Sequence, residues 1–215
     1  MANNTNKKTI VARINAAAKK YKSNLVGNTF LIIYEGNCIE LSFRAKNFLH
    51  LCGVDTTIQG AIPFYRKACS KYGVNDKEIS FSSNHPYNLA DIKTANLSDA
   101  IDLLTKEILI ATDVQTKSHI YAIGATDLEI VMCLDKDNQV TNNSNIFVPW
   151  SLRVEYLQNS RFTDLYAVDF VLKKDTNSTG GYSDIVYGDK AGLRTVVEST
   201  LRKILQNARI KPLSY

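Results

Sequence analysis

Apolar residues recur every three or four positions at Ile10, Ile14, Ala17, Ala18 and Tyr21, with lysines on the opposite side. This spacing predicts an amphipathic helix over 9–24, ended by Gly27 and Asn28. The period then shortens. Residues 29–34 and 38–43 are apolar runs flanking Glu35-Gly36-Asn37, and they predict an antiparallel hairpin. A short helical turn is expected from Lys46 to Gly53, where the glycine suits a left-handed stop. A second helix is expected over 62–72, with Pro63 in its first turn and Gly73 just beyond it. A short strand follows over 78–82.

Asn96-Leu97-Ser98-Asp99 leads into helical spacing at Ile101, Leu104, Ile108 and Leu109, which predicts helix through much of 89–111. Strand character returns at 119–123, 129–134, 145–148, 165–173 and 183–187, interrupted by the turn-forming runs 135–138 and 177–181. A helical turn is expected over 151–156, and Leu193, Val197, Leu201, Ile204 and Ala208 define a closing amphipathic helix. Helices followed by strands predict an α+β fold: N-terminal helices packed on an antiparallel sheet, with a closing C-terminal amphipathic helix. No long linker or internal repeat divides the chain. One domain over 1–215 is expected, with a basic N-terminal helix over about 7–25 and the C-terminal helix over about 191–209.

Composition adds bounds to this picture. A hydrophobic content of 45% suffices for a core. The polar first residues and the lack of a long apolar run predict no secretory leader, no membrane span and a cytoplasmic protein. Cys38, Cys52, Cys69 and Cys133 are scattered, as are His50, His85 and His119. None has metal-ligand spacing, so no metal and no cofactor is expected. Glycine-rich phosphate loops and a Gly-x-Ser-x-Gly elbow are also missing.

The net charge of +5 is carried by the ends. Lys7, Lys8, Arg13, Lys19, Lys20 and Lys22 precede the first acid, Glu35, and Arg194, Arg202, Lys203, Arg209 and Lys211 face only Glu198 in the terminal stretch. Such clusters suit RNA or another polyanion, although a solvated helix face produces the same pattern.

Candidate chemistry concentrates in 43–53. His50 lies between Leu49 and Leu51, just after Arg44 and Lys46. An imidazole transfers protons near neutral pH, and the two bases suit a phosphate. The same residues also suit a boundary histidine satisfied by backbone groups. His85, beside Pro86, reads as an exposed turn residue.

Three segments resemble, in order, those of the phage-associated Barnase-EndoU-colicin-RelE-like (BECR) nucleases: Asn47-Phe48-Leu49-His50-Leu51-Cys52-Gly53-Val54, Phe147-Val148-Pro149-Trp150-Ser151-Leu152-Arg153, and Tyr182-Ser183-Asp184-Ile185-Val186-Tyr187. The family pattern more often has Thr in place of Cys52 and small polar residues in place of Trp150. The resemblance implies a phage or mobile-element protein, a metal-independent RNA endonuclease that produces a 2′,3′-cyclic phosphate. On that reading His50 is the general base or acid and Arg153, Arg44 and Lys46 neutralise phosphate. Ser183 and Tyr182 bond the target, and Lys19 and Lys20 contact nucleic acid. The alternative is a non-catalytic protein of the same origin that binds and inhibits a host defence complex, a host protein or ribonucleoprotein, in the manner of an anti-CRISPR inhibitor.

Overall fold

The computed structural model describes residues 2–116, 119–137, 146–154, 161–189 and 192. Helix α1 (Ala2–Asn24) turns the expected stripe inward, burying Ile10, Ile14, Ala17, Ala18 and Tyr21. Strands β1 (Asn28–Tyr34) and β2 (Asn37–Ser42) form the hairpin in the register Thr29↔Ser42 to Tyr34↔Asn37. Phe30, Ile32 and Leu41 face the main core, whereas Leu31 and Ile33 join a cluster on the other face of the sheet. That alternation is the period-two consequence of a pleated strand.

A 3-10 turn (Ala45–Asn47) leads into α2 (Phe48–Cys52). There follow β3 (Asp55–Thr56), α3 (Ala61–Ala68), β4 (Ile79–Ser80) and α4 (Tyr87–Ile101). The remaining strands are β5 (Leu109–Gln115), β6 (Ile120–Thr126), β7 (Ile130–Lys136), β8 (Ile146–Val154), β9 (Leu165–Ala167), β10 (Phe170–Asp175) and β11 (Asp184–Tyr187). Among the described residues no helix is long and apolar enough to cross a membrane.

Nine strands form one sheet in the order β11-β10-β1-β2-β8-β7-β6-β5-β9, and β3 pairs β4 separately. The fold is α+β, with α1 and the segment between β2 and β5 covering one face. Within the sheet β2 and β8 run parallel, through Glu40↔Ile146 and Leu41↔Phe147, and the other pairs are antiparallel. The parallel pair joins two antiparallel halves. It also sets the chain leaving β2, which becomes α2, beside the middle of β8.

Several local expectations change. The second helix, expected over 62–72, ends at Ala68. Helix α4 ends at Ile101, and Leu109 to Ala111 begin β5, with Ile110 and Ala111 fully buried in clusters on opposite faces. A strand covered on both faces reads as an unbroken apolar run, which mimics helix in sequence. Residues 151–154 continue β8 rather than turning as a helix. The expected strand over 165–173 divides at Val168 and Asp169, whose amides donate to Ile108 and Ile33 carbonyls as the chain crosses from β5 to β1. The closing helix expected over 191–209 lies outside the described residues.

An aromatic cluster anchors α2. The Tyr21 ring meets Phe43, Phe48 and Tyr65 at centroid distances of 5.8, 5.2 and 5.9 Å, and its hydroxyl donates to the Arg44 carbonyl at 3.1 Å. Phe48 is fully buried, and truncating such a side chain typically costs about 3–5 kcal/mol. The short helix is thus held by its inner face.

Candidate active site

In α2 the buried residues are Phe48, Leu51 and Cys52, three and four positions apart, and His50 therefore points outward and is exposed. Opposite it stands Trp150. Strand β8 bulges there: Ser151 pairs with Cys133 and Pro149 with Leu134, leaving Trp150 as the extra residue. A bulge of this kind re-aims a side chain. The imidazole and indole stack with centroids 5.7 Å apart and planes 12° from parallel.

Gly53 ends α2 at φ +65°, a left-handed conformation that strains a residue with a Cβ. A Cβ there would also lie 2.6 Å from the Lys93 Cδ. The glycine stop therefore admits the Lys93 stem against the end of α2. Lys93 lies on the buried side of α4 with Ala90, Thr94 and Leu97, and only 7% of it is exposed. Among the described residues no hydrogen bond to its amine is found. Burial, and next the charge of Arg153, pull its pKa below that of an ordinary lysine.

The β3–β4 pairing, Asp55↔Ser80 and Thr56↔Ile79, brings a second histidine to this place. His85 closes the turn after β4, its carbonyl accepting from the Ser82 amide at 3.1 Å. Its Nδ1 is 2.7 Å from Asp55 Oδ1. Hydrogen bonds from Ser82, then from His85, hold the Asp55 carboxyl below its usual range. A carboxylate at Nδ1 assigns the ring hydrogen to that nitrogen and leaves Nε2 to exchange protons.

Although His50 is exposed, partial desolvation of its ring lowers the pKa, and the charges of His85 and Lys93 lower it further. A lowered value keeps the ring neutral near pH 7, able to accept a proton. The cluster thus holds a base, a carboxylate-oriented imidazole and an amine that meets no counterion among the described residues, a combination suited to a phosphodiester. Sequence reading missed His85 as a site residue and did not single out Lys93. The available signal was Lys93 itself, a lysine interrupting the apolar stripe of α4.

The other expected site residues take varied places. Arg153 lies on β8 opposite Val131, whose cluster occupies the sheet face away from the helices. Among the described residues its Nε is buried without a hydrogen bond, and its charge acts on both Lys93 and Tyr121. Arg44 forms an ion pair with the buried Asp137 carboxylate, and Lys46 is half-buried on the 3-10 turn. Tyr182 is buried, donating its hydroxyl to Glu40 Oε1 beneath the Lys174 ammonium, which lies 4.6 Å from the ring centre. Burial and Glu40 raise the Tyr182 pKa strongly. Ser183 is exposed, its hydroxyl donating to Asp184 at 3.2 Å. Tyr182 belongs with Leu31, Ile33, Phe170 and Leu172 to the cluster on the sheet face away from the helices, and Ser183 follows it just before β11, at the end of the strand order. Ser183 and Tyr182 do not join the His50 cluster.

Lys20 is held by Asp102 and by Ser98, whose Oγ is 2.9 Å away, and Lys19 is exposed on α1. Cys52 is fully buried, its thiol 3.2 Å from the Phe48 carbonyl and pushed up in pKa by burial. A side chain sealed there packs the helix and does not reach phosphate, so a thiol in place of a hydroxyl leaves the exposed site unaltered.

Comparison with curated proteins and with solved structures finds no significant match. A family model described as phage-Barnase-EndoU-ColicinE5/D-RelE like nuclease4 matches residues 13–190. That span holds all of the described strands and the whole His50 cluster, and its description points to nucleic acid as substrate. The chain belongs to the family of phage-Barnase-EndoU-ColicinE5/D-RelE like nucleases.

Proposed function

We propose that the chain is a metal-independent RNA endonuclease that leaves a 2′,3′-cyclic phosphate. The observation that carries this reading is the meeting of His50, His85 and Lys93, in which a lowered imidazole pKa and a buried amine occur together. His50 takes the proton from the ribose 2′-hydroxyl, and the freed oxygen attacks phosphorus. The bond to the 5′-oxygen breaks as His85 Nε2 delivers a proton to that oxygen. Asp55 orients His85 and faces its imidazolium form. Lys93 supplies positive charge to the non-bridging oxygens of the phosphorane, a contribution worth about 3 kcal/mol where a donor is preorganised.

The scheme uses two imidazoles and a cation, so it balances without a redox partner or added nucleophile. Incubating the protein with RNA in EDTA tests it, with product ends assigned by their 2′,3′-cyclic phosphate and 5′-hydroxyl. The wild type is expected to cut, a 2′-deoxy nucleotide at the scissile position to block the cut, and His50→Ala to lose about 10²- to 10⁴-fold. Equal cleavage by wild type and His50→Ala removes the role given to His50.

A further inference from the structure

Trp150 is the residue of the cluster that the cleavage scheme leaves unused. It is the single tryptophan of the chain, and 47% of it is exposed. A fully apolar explanation would bury it. Instead the bulge in β8 takes it out of register with β7, and one of its faces covers the His50 ring. The remaining indole surface is open beside the nitrogen that would accept the 2′-hydroxyl proton.

We infer that Trp150 is a stacking platform for an unpaired nucleobase adjoining the scissile phosphate, and that the site therefore selects single-stranded or looped RNA. The inference rests on the nuclease reading above. A ribose placed against His50 carries its base within reach of the neighbouring indole, and offset stacking of two flat π-systems is a favoured arrangement. The adjoining amine of Lys93 matches the phosphate of the same nucleotide in charge. In a duplex the bases are stacked on one another and paired, so an indole can take a base only where the strand is open. The stack is tolerant of base identity because each base offers a π-face, so discrimination falls between open and paired strands more than among sequences.

The test uses the full chain and a 2′-O-methyl oligoribonucleotide, which lacks the attacking hydroxyl and stays intact. Tryptophan fluorescence reports Trp150 alone. The single strand is expected to quench it saturably, and the same strand annealed to its complement to quench it far less. On a cleavable RNA, Trp150→Ala is expected to raise KM by about 5- to 150-fold, with the change larger in KM than in kcat, and Trp150→Phe to recover most of the loss. A thermal melt of each variant confirms folding. Equal quenching by strand and duplex, or an unchanged KM in Trp150→Ala, overturns the inference. Cleavage that persists without quenching removes the platform and leaves the nuclease reading standing. Quenching without any cleavage keeps the platform and removes the nuclease reading. Fluorescence altered by a stoichiometric host protein and unaltered by RNA overturns the inference in favour of a protein anchor.

Discussion

Two histidine–aspartate pairs lie on the two sides of this sheet, and they differ in their surroundings more than in their geometry. His85 is 2.7 Å from Asp55 on the helical side, and His119 is 3.0 Å from Asp135 at the end of β7. Around the first stand a second imidazole, His50, and the buried amine of Lys93. Around the second the His119 ring packs on Tyr121 with centroids 4.5 Å apart. A carboxylate beside an imidazole orients it in either place. Only on the helical side does a second imidazole with a lowered pKa stand ready to complete an acid–base pair, as the transfer of two protons requires.

The largest expected effect tests that contrast directly. His85→Ala is expected to lower RNA cleavage by about 10²- to 10⁴-fold, and His119→Ala by less than about threefold, in single-turnover assays at neutral pH. A loss at His119 as large as that at His85 would move the chemistry to the other face of the sheet.

Next in size is an opposed pair of effects at one residue. The lowered amine pKa means that the fold holds the Lys93 charge at a cost to stability. Lys93→Met keeps the stem volume and removes the charge. It is expected to abolish most cleavage while stabilising the fold by about 1 kcal/mol, which raises Tm by about 2–4 °C in a chain of this size. Circular-dichroism melts check this, and a fall in Tm would mean that the ammonium is well compensated in the fold.

The smallest effect is a pH dependence. Unfolded, His50 titrates near 6.5; folded, it does so at lower pH. Between the two values the unfolded chain binds more protons, so stability rises with pH across that window, is fully present above about 6.5 and is lost as pH falls through it. His50→Gln is expected to flatten this part of the profile in denaturant titrations at several pH values. A wild-type slope unchanged by His50→Gln would assign it to another group.

Much of the fold was legible because its causes are local. The α1 stripe, the β1–β2 hairpin and the glycine at the end of α2 each follow from spacing within a few residues. The errors fell where burial on two sides erased periodicity, as in β5, and where one apolar run served two distant edges, as between β9 and β10. His50 was identifiable as an imidazole placed among apolar residues, but its partners were not. His85 read as a turn residue because its carboxylate is thirty positions away in sequence, at Asp55.

By itself the sequence determined an α+β chain, a histidine on a short helical turn before a left-handed glycine, and segments ordered as in a nuclease family, since periodicity and motif order need no third dimension. The tertiary structure decided which charges meet. Pairing of β3 with β4 delivers His85, the packing of α4 on Gly53 delivers Lys93, and the parallel β2–β8 junction with its bulge delivers Trp150. These are contacts between residues far apart along the chain. Their electrostatic consequence, a lowered pKa at His50, exists only when burial and neighbouring charge act at the same point in space.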